Sequence, residues 1–248
     1  MRRRLHKIWL YVIRWFFRPI RIYVFHNVSD AHDELLCGID DWTQTERFKQ
    51  NIEKLSQQYT FISITEAYHK LRHDWFRFRK YAVLTTDDGL ASVLNVLPWL
   101  EEKKIPLTLF INTRYWEQDK LKPIHLERLQ KISPNADIEK IAKELYLSKD
   151  QIWSLASSSI EIGLHGHEHL DAKTINEQEF ETNVEQCIEQ LVSHPRYVPF
   201  YAYPWGMGTA KSKEYLLSKG IVPVMVDNDA NCVWTGSISR VCIDYKVL

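Results

Sequence analysis

Two stretches of this chain combine residue types that can do chemistry. The first, Tyr81-Ala82-Val83-Leu84-Thr85-Thr86-Asp87-Asp88-Gly89, is an apolar, β-branched run that ends abruptly in two adjacent carboxylates and a glycine. Like charges side by side repel, so one of the pair resists ionisation unless a cation sits between them. A metal ion removes that conflict. The plainer alternative is an Asp-Gly turn in which an aspartate caps a helix over residues 90–102. The second stretch, His165-Gly166-His167-Glu168-His169, follows the apolar run Ile160 to Leu164 and sets several imidazoles at its end. A helical turn would bring His165 and His169 to the same side, which is ligand spacing, whereas His167 and Glu168 would point elsewhere. A His-Glu-x-x-His metalloprotease signature is absent, because Glu168 is followed at once by His169. The plain alternative here is an exposed histidine-rich turn.

These residues need elements to position them. Hydrophobic patterning predicts strands over residues 21–25, 59–64, 81–85, 107–111, 160–164, 200–203, 221–226 and 237–243. Between them it predicts helices over 41–57, 66–71 (capped by Thr65), 90–102, 149–156, 177–192 and 210–219. Strands alternating with helices at this rate predict an α/β domain with a mostly parallel sheet, either a barrel or an open doubly wound sheet. His26, Asp87 with Asp88, His165 and Pro204-Trp205 each fall at the carboxyl end of a predicted strand. In a barrel all those ends converge on one face, where such enzymes place their chemistry. Residues 114–148 lack strand character and read as a helical insertion within one domain.

The 248-residue chain has 32 basic and 32 acidic residues, a balance that gives no general reason to expect nucleic acid as a partner. The charge is unevenly placed. Arg2, Arg3, Arg4, Lys7, Arg14, Arg18 and Arg21 all precede the first carboxylate, Asp30, and interleave with aromatic residues. Residues 5–18 can be drawn as an amphipathic helix, and residues 1–20 form a basic leader ahead of a domain over 21–248. Arg14 interrupts the apolar run and no small-residue cleavage site follows, which argues against a secretory signal; the segment is also too short and charged to span a bilayer. Its apolar side either lies in the interface of an anionic membrane or packs on the domain. Cys37, Cys187, Cys232 and Cys242 are widely spaced with no Cys-x-x-Cys pair, so a reducing compartment is expected. The expected location is the cytoplasm, with peripheral contact at the inner face of the membrane as the alternative that a surface-bound leader would bring. The sequon Asn27-Val28-Ser29 carries no weight on that reading.

Taken together, the motifs resemble those of the polysaccharide deacetylase family, the NodB-homology or carbohydrate esterase family 4 domain. Thr85-Thr86-Asp87-Asp88-Gly89 is similar to its Thr-Phe-Asp-Asp-Gly motif, with Thr86 in place of Phe. His165-Gly166-His167-Glu168-His169 is similar to its His-x-x-x-His motif, and Phe200 to Gly206 to its aromatic-Pro-aromatic-Gly strand end. The resemblance implies a distorted (β/α) barrel with mostly parallel strands and a divalent metal, usually zinc, held by Asp88, His165 and His169. It implies Asp87 as general base and a substrate that is an N-acetylated carbohydrate, met by Tyr203, Pro204 and Trp205. Members with the usual motif order take their general acid from a late histidine, but no histidine follows His194 here. Permuted members take it from an N-terminal strand like Tyr23-Val24-Phe25-His26, which gives His26 that role unless it only caps the strand end. Ala202 stands where many members carry an arginine that orients the base, and Arg240 is a candidate replacement. The function implied is hydrolysis of N-acetyl groups on an amino sugar of a glycan or glycan precursor. The alternatives are a catalytically silent sugar-binding or membrane-recruited module, and a hydrolase of another non-peptide amide.

Overall fold

The computed structural model describes residues 18–30, 42–74, 77–155, 160–229, 231–232 and 234–243. Apart from residues 18–20, the basic leader lies outside the described residues. Seven strands close into a parallel barrel: β1 (Ile20–Phe25), β5 (Tyr81–Thr86), β6 (Leu107–Ile111), β7 (Ile160–Leu164), β8 (Tyr197–Ala202), β9 (Val222–Val226) and β10 (Ile238–Cys242). β1 closes it, pairing with β10 on one side and along its full length with β5 on the other, Ile20 opposite Tyr81 through Phe25 opposite Thr86. Three two-residue strands lie outside that ring: β2 (Asn27–Val28) pairs with β3 (Trp42–Thr43), and β4 (Thr60–Phe61) pairs with the start of β5.

The period of two along each strand sorts side chains between the barrel interior and the layer under the helices. Ile20 and Ile22 pack with Val83, Phe110, Phe200, Val224 and Ile238 in the interior. Tyr23, Phe25, Leu84, Leu109, Ile162 and Leu164 face the surrounding helices, which include Thr45–Ser56 and Glu177–Leu191. Gly163 is interior and must be small: a Cβ there would lie 2.5 Å from the Phe110 ring. Continuing the inward rows by one step at the carboxyl ends, from Val24, Thr85 and Gly163, reaches His26, Asp87 and His165. Sequence periodicity thus delivers all three to the same mouth.

Several local expectations shift. The helix drawn over 90–102 divides into a 3₁₀ segment, Ala91–Asn95, and an α-helix, Leu97–Glu102, whose second residue is Pro98. The helix drawn over 66–71 spans Ile64–His73, and Ser63 rather than Thr65 caps it by accepting from the Glu66 amide. β8 begins at Tyr197, earlier than expected. Pro199, which lacks an amide donor, falls where the pairing with β7 shifts register between Ile162 and Leu164.

The insertion contains a 3₁₀ turn at Tyr115–Glu117 and helices Pro123–Ile132 and Ile138–Leu145. Leu121, Leu129, Ile141 and Leu145 give it a small core of its own, shared with Leu90. It is tied to the Asp-Asp-Gly turn by a Leu147 N–H to Gly89 carbonyl bond of 2.9 Å and by a bridge between Leu90 and Tyr146. Among the described residues no helix is long and apolar enough to cross a membrane.

Candidate metal centre at the barrel mouth

β5 leaves the barrel through Asp87 and then turns through Asp88 and Gly89, both with left-handed backbones (φ 75° and 67°). Aspartate tolerates that conformation better than most side chains and glycine adopts it freely, so the composition of the turn matches its geometry. Asp88 does not cap the following 3₁₀ segment, whose N-cap, Leu90, makes no side-chain bond. The Asp-Gly turn of the plain reading is thus present, while the helix cap it assigned to an aspartate is not. Both carboxylates are buried.

His165 and His169 meet through a loop, not the helical turn that the spacing suggested. Gly166, at φ 85°, reverses the chain just after β7; a Cβ there would lie 2.6 Å from Asn183 Nδ2. The loop is pinned from two sides. Asn112 Nδ2 donates to the His165 carbonyl at 2.6 Å, and Asn183 both accepts from the Glu168 amide and donates to its carbonyl. His167 turns away to Thr113 Oγ1, 2.9 Å distant.

Asp88 Oδ1 lies 3.2 Å from His165 Nε2 and 3.5 Å from His169 Nε2, and one ligand atom from each of the three falls within 4.8 Å of the others. The His165 Nδ1 is 2.7 Å from the Ala202 carbonyl, which can only accept. A proton therefore sits on Nδ1, which leaves Nε2, the nitrogen that faces Asp88, as the atom able to serve as a ligand. Burial first, then the neighbouring Lys122 ammonium, holds His169 well below the usual imidazole range, which favours its neutral form. Asp88 Oδ1 is buried, and the groups around it are the Lys122 ammonium and the two imidazoles. A buried carboxylate oxygen with two imidazole nitrogens within 3.5 Å is a donor set that fits a divalent cation.

Asp87 is held apart from this set. Both its oxygens accept from Arg240, at 2.6 and 2.7 Å, in a bidentate pair wholly buried inside the barrel, with the guanidinium 5.2 Å from the Phe110 ring centroid. Burial opposes ionisation, but the Arg240 charge, then His165, outweighs it and holds the Asp87 carboxyl below its ordinary value. Arg240, two positions after the interior Ile238, does from β10 what an arginine at position 202 would do from β8.

A cavity of about 280 Å³ opens over these groups, and His26, Tyr203 and Trp205 line it. Tyr203 is buried and its hydroxyl is 3.1 Å from Ser212 Oγ, so it serves as floor. Trp205 is 58% exposed, has a left-handed backbone (φ 61°) just after Pro204, and sets its ring 5.5 Å from that of His169. Bulky residues in that conformation are uncommon and cluster at functional sites. The sequence reading missed Lys122, which reaches the cavity from the insertion with its Nζ 2.5 Å from Asp88 Oδ1, along with His125 and Arg128 on the same helix. Their spacing of three, starting just before Pro123, was the available signal.

Solved structures of similar fold include IcaB from Ammonifex degensii (20% identity, TM-score 0.67, covering 90% of this chain and 91% of that one). The deacetylase PplD of Streptococcus pyogenes, in complex with acetate, is 18% identical with a TM-score of 0.66, covering 91% and 92%. The deacetylase domain of BpsB from Bordetella bronchiseptica is 15% identical with a TM-score of 0.64, covering 91% and 96%. At these identities the likeness is one of fold. No curated protein matches the chain. A family model described as polysaccharide deacetylase matches residues 77–224, from before β5 into β9, and so takes in Asp87, Asp88, His165 and His169. With more than half of its length matched, and a parallel barrel that gathers those four residues at one mouth, the chain belongs to the polysaccharide deacetylase family.

Proposed function

We propose that the protein is a metal-dependent carbohydrate de-N-acetylase that hydrolyses an acetamido group on an amino sugar, releasing acetate and a free amine. The observation that carries this is the approach of Asp88 Oδ1 to two imidazole nitrogens, at 3.2 and 3.5 Å, beside a second carboxylate kept ionised by Arg240. Asp88, His165 and His169 would hold the ion. Two nitrogens and one oxygen with open positions suit zinc. When bound, such an ion acidifies a water and polarises the amide carbonyl.

The chain's own groups supply the rest. Asp87, fixed by the Arg240 fork, takes the proton of the attacking water as the new C–O bond forms. A backbone N–H near Trp205 donates to the developing oxyanion. His26, on the opposite side of the cavity from the loop histidines in the chain's strand order, protonates the nitrogen as the C–N bond breaks, so the amine leaves neutral. Trp205 offers an exposed flat face for the sugar ring, with Pro204 setting its approach. Residues 1–20, through their basic and aromatic composition, would bring the enzyme to an anionic membrane surface, on the inner face if the protein is cytoplasmic.

The test is acetate release from N-acetylated saccharides by the zinc-loaded protein, with Asp87→Asn alongside and bound metal measured in both. Loss of release of 10²-fold or more in the variant, at unchanged metal content, is expected for a general base. Full metal occupancy with no release from any amide would leave the silent binding module as the better reading.

A further inference from the structure

The amino end of the barrel, opposite the catalytic mouth, carries an exposed aromatic ring in a basic surrounding. The helix Ile64–His73 lies across this end, with Ile64, Ala67 and Leu71 in the interior cluster. From it the chain returns to β5 through Arg77, Phe78, Arg79 and Lys80. Arg77 is buried and its guanidinium donates to the carbonyls of Arg18 (2.9 Å), Lys70 (3.3 Å), Asp74 (2.9 Å) and Cys232. With Arg77 held inward by these bonds, Phe78 stands clear of the surface at 86% exposure, the most of any exposed large apolar side chain among the described residues. A single exposed ring is ordinary on a protein surface. This one has company.

β1 and β5 start level, Ile20 opposite Tyr81, and Arg77 holds the Arg18 carbonyl, so the leader joins the domain beside Phe78. Trp15, Phe16 and Phe17 directly precede Arg18, and no carboxylate occurs in the chain before Asp30. The charge of the folded side has the same sign. Between residues 64 and 80 five basic side chains (Lys70, Arg72, Arg77, Arg79, Lys80) accompany two acidic ones, Glu66 and Asp74. Both of those carboxylates lie 3.4 Å from the Lys70 ammonium. Arg79 and Lys80 are exposed, and the Lys80 ammonium stands 5.9 Å from the centroid of the Tyr59 ring, a neutral group that leaves its charge in place. A soluble acidic partner calls for the cations alone. Rings that project among cations suit the headgroup boundary of an anionic bilayer, where the rings enter the apolar side and the cations stay with the phosphates.

We propose that the amino end of the barrel is a contact surface for an anionic membrane, with Phe78 entering the interface and Arg79 and Lys80 facing the headgroups beside the leader. The folded domain thus binds lipid in its own right, in addition to residues 1–20, and this does not depend on which amide the enzyme cleaves. The surface also sets an orientation. The strands are parallel, so their carboxyl ends and the catalytic cavity lie at the other end of the barrel and open away from the bilayer.

The test sediments the full-length protein with vesicles of equimolar phosphatidylcholine and phosphatidylglycerol, and with vesicles of phosphatidylcholine alone. Partitioning should favour the anionic vesicles and weaken as salt is added. On them it should fall about fivefold or more in Phe78→Ser and about tenfold or more in Arg79→Gln combined with Lys80→Gln, since each basic residue near an anionic surface contributes about fivefold. Phe78→Leu, which keeps an apolar side chain, should retain most of the binding. All three side chains are exposed, so equal melting temperatures are expected and verify that the fold is intact. Wild-type protein that ignores anionic vesicles overturns the proposal, as does partitioning unchanged in both the Phe78→Ser and the double variant. Binding to single-stranded DNA in place of vesicles, or self-association abolished by Phe78→Ser, puts another partner on the surface and overturns it too. Trp15→Ser combined with Phe16→Ser separates the leader: loss in that variant alone sinks this surface and keeps the leader, whereas loss in the Phe78 and Arg79/Lys80 variants alone keeps this surface and sinks the leader. Acetate release decides the de-N-acetylase reading by itself.

Discussion

Removing Arg240 should be among the most costly single changes available in the barrel. The Arg240 side chain is fully buried, and its two charge-assisted bonds of 2.6 and 2.7 Å bind both oxygens of a buried Asp87. Arg240→Met preserves most of the aliphatic bulk but leaves Asp87 uncompensated. Breaking a buried pair in this way costs about 3–5 kcal/mol, a large share of the roughly 5–15 kcal/mol that holds a domain together. The pH dependence follows from the sign of the Asp87 shift. In the native protein its carboxyl is depressed despite burial, chiefly by Arg240. The pair therefore contributes fully above the unfolded value of about 3.9 and is lost as pH falls through the lower folded value. Without Arg240, burial dominates and the carboxyl rises above 3.9, so the variant is penalised most at neutral pH and least in acid. Urea unfolding of the metal-free proteins at pH 7 and near pH 4 should show the gap narrowing on acidification. The acid limb of the activity profile should also move to higher pH, since a less acidic base needs a higher pH to ionise. Asp87→Asn introduced together with Arg240→Met should recover much of the stability, because the buried charge is gone. A loss under about 1 kcal/mol at pH 7, or a gap that does not change with pH, would refute the reasoning.

Gly163→Ala should destabilise by about 1–3 kcal/mol, because its Cβ would sit 2.5 and 2.6 Å from two atoms of the Phe110 ring and 3.2 Å from the Phe200 carbonyl; a melting temperature equal to wild type would show that the barrel interior is looser than described. Zinc binding to the folded chain alone should stabilise it by about 2.7 kcal/mol at one hundred times its Kd. His165→Ala should abolish that gain, and an equal gain in the variant would place the ion elsewhere.

The catalytic stretches were legible because their signals are local. A β-branched run ending in two carboxylates, and imidazoles directly after an apolar run, define strand ends without knowledge of any other part of the chain. Strand alternation with helices then gave the α/β class, and period two placed His26, Asp87 and His165 on one row each. Local reading failed where the backbone bends on glycine or on long-range bonds. The 165–169 segment became a loop because Asn112 and Asn183, from β6's end and a distant helix, satisfy its amides and carbonyls better than a helical turn would. Ser63, two residues earlier than Thr65, became a cap once Glu161 Oε2, reaching across from β7, accepted the Ile64 amide at 3.1 Å.

Residue types alone determined which groups can bind a cation or move a proton, since a carboxylate pair or an imidazole keeps its chemistry in any fold. Partnership needed the closed barrel. Arg240 is 153 residues from Asp87 in sequence, and Lys122 reaches Asp88 only because the insertion bonds back onto the Asp-Asp-Gly turn. Coulomb energy depends on separation and on burial, and both are set by how strands and insertion pack rather than by the order of residues along the chain.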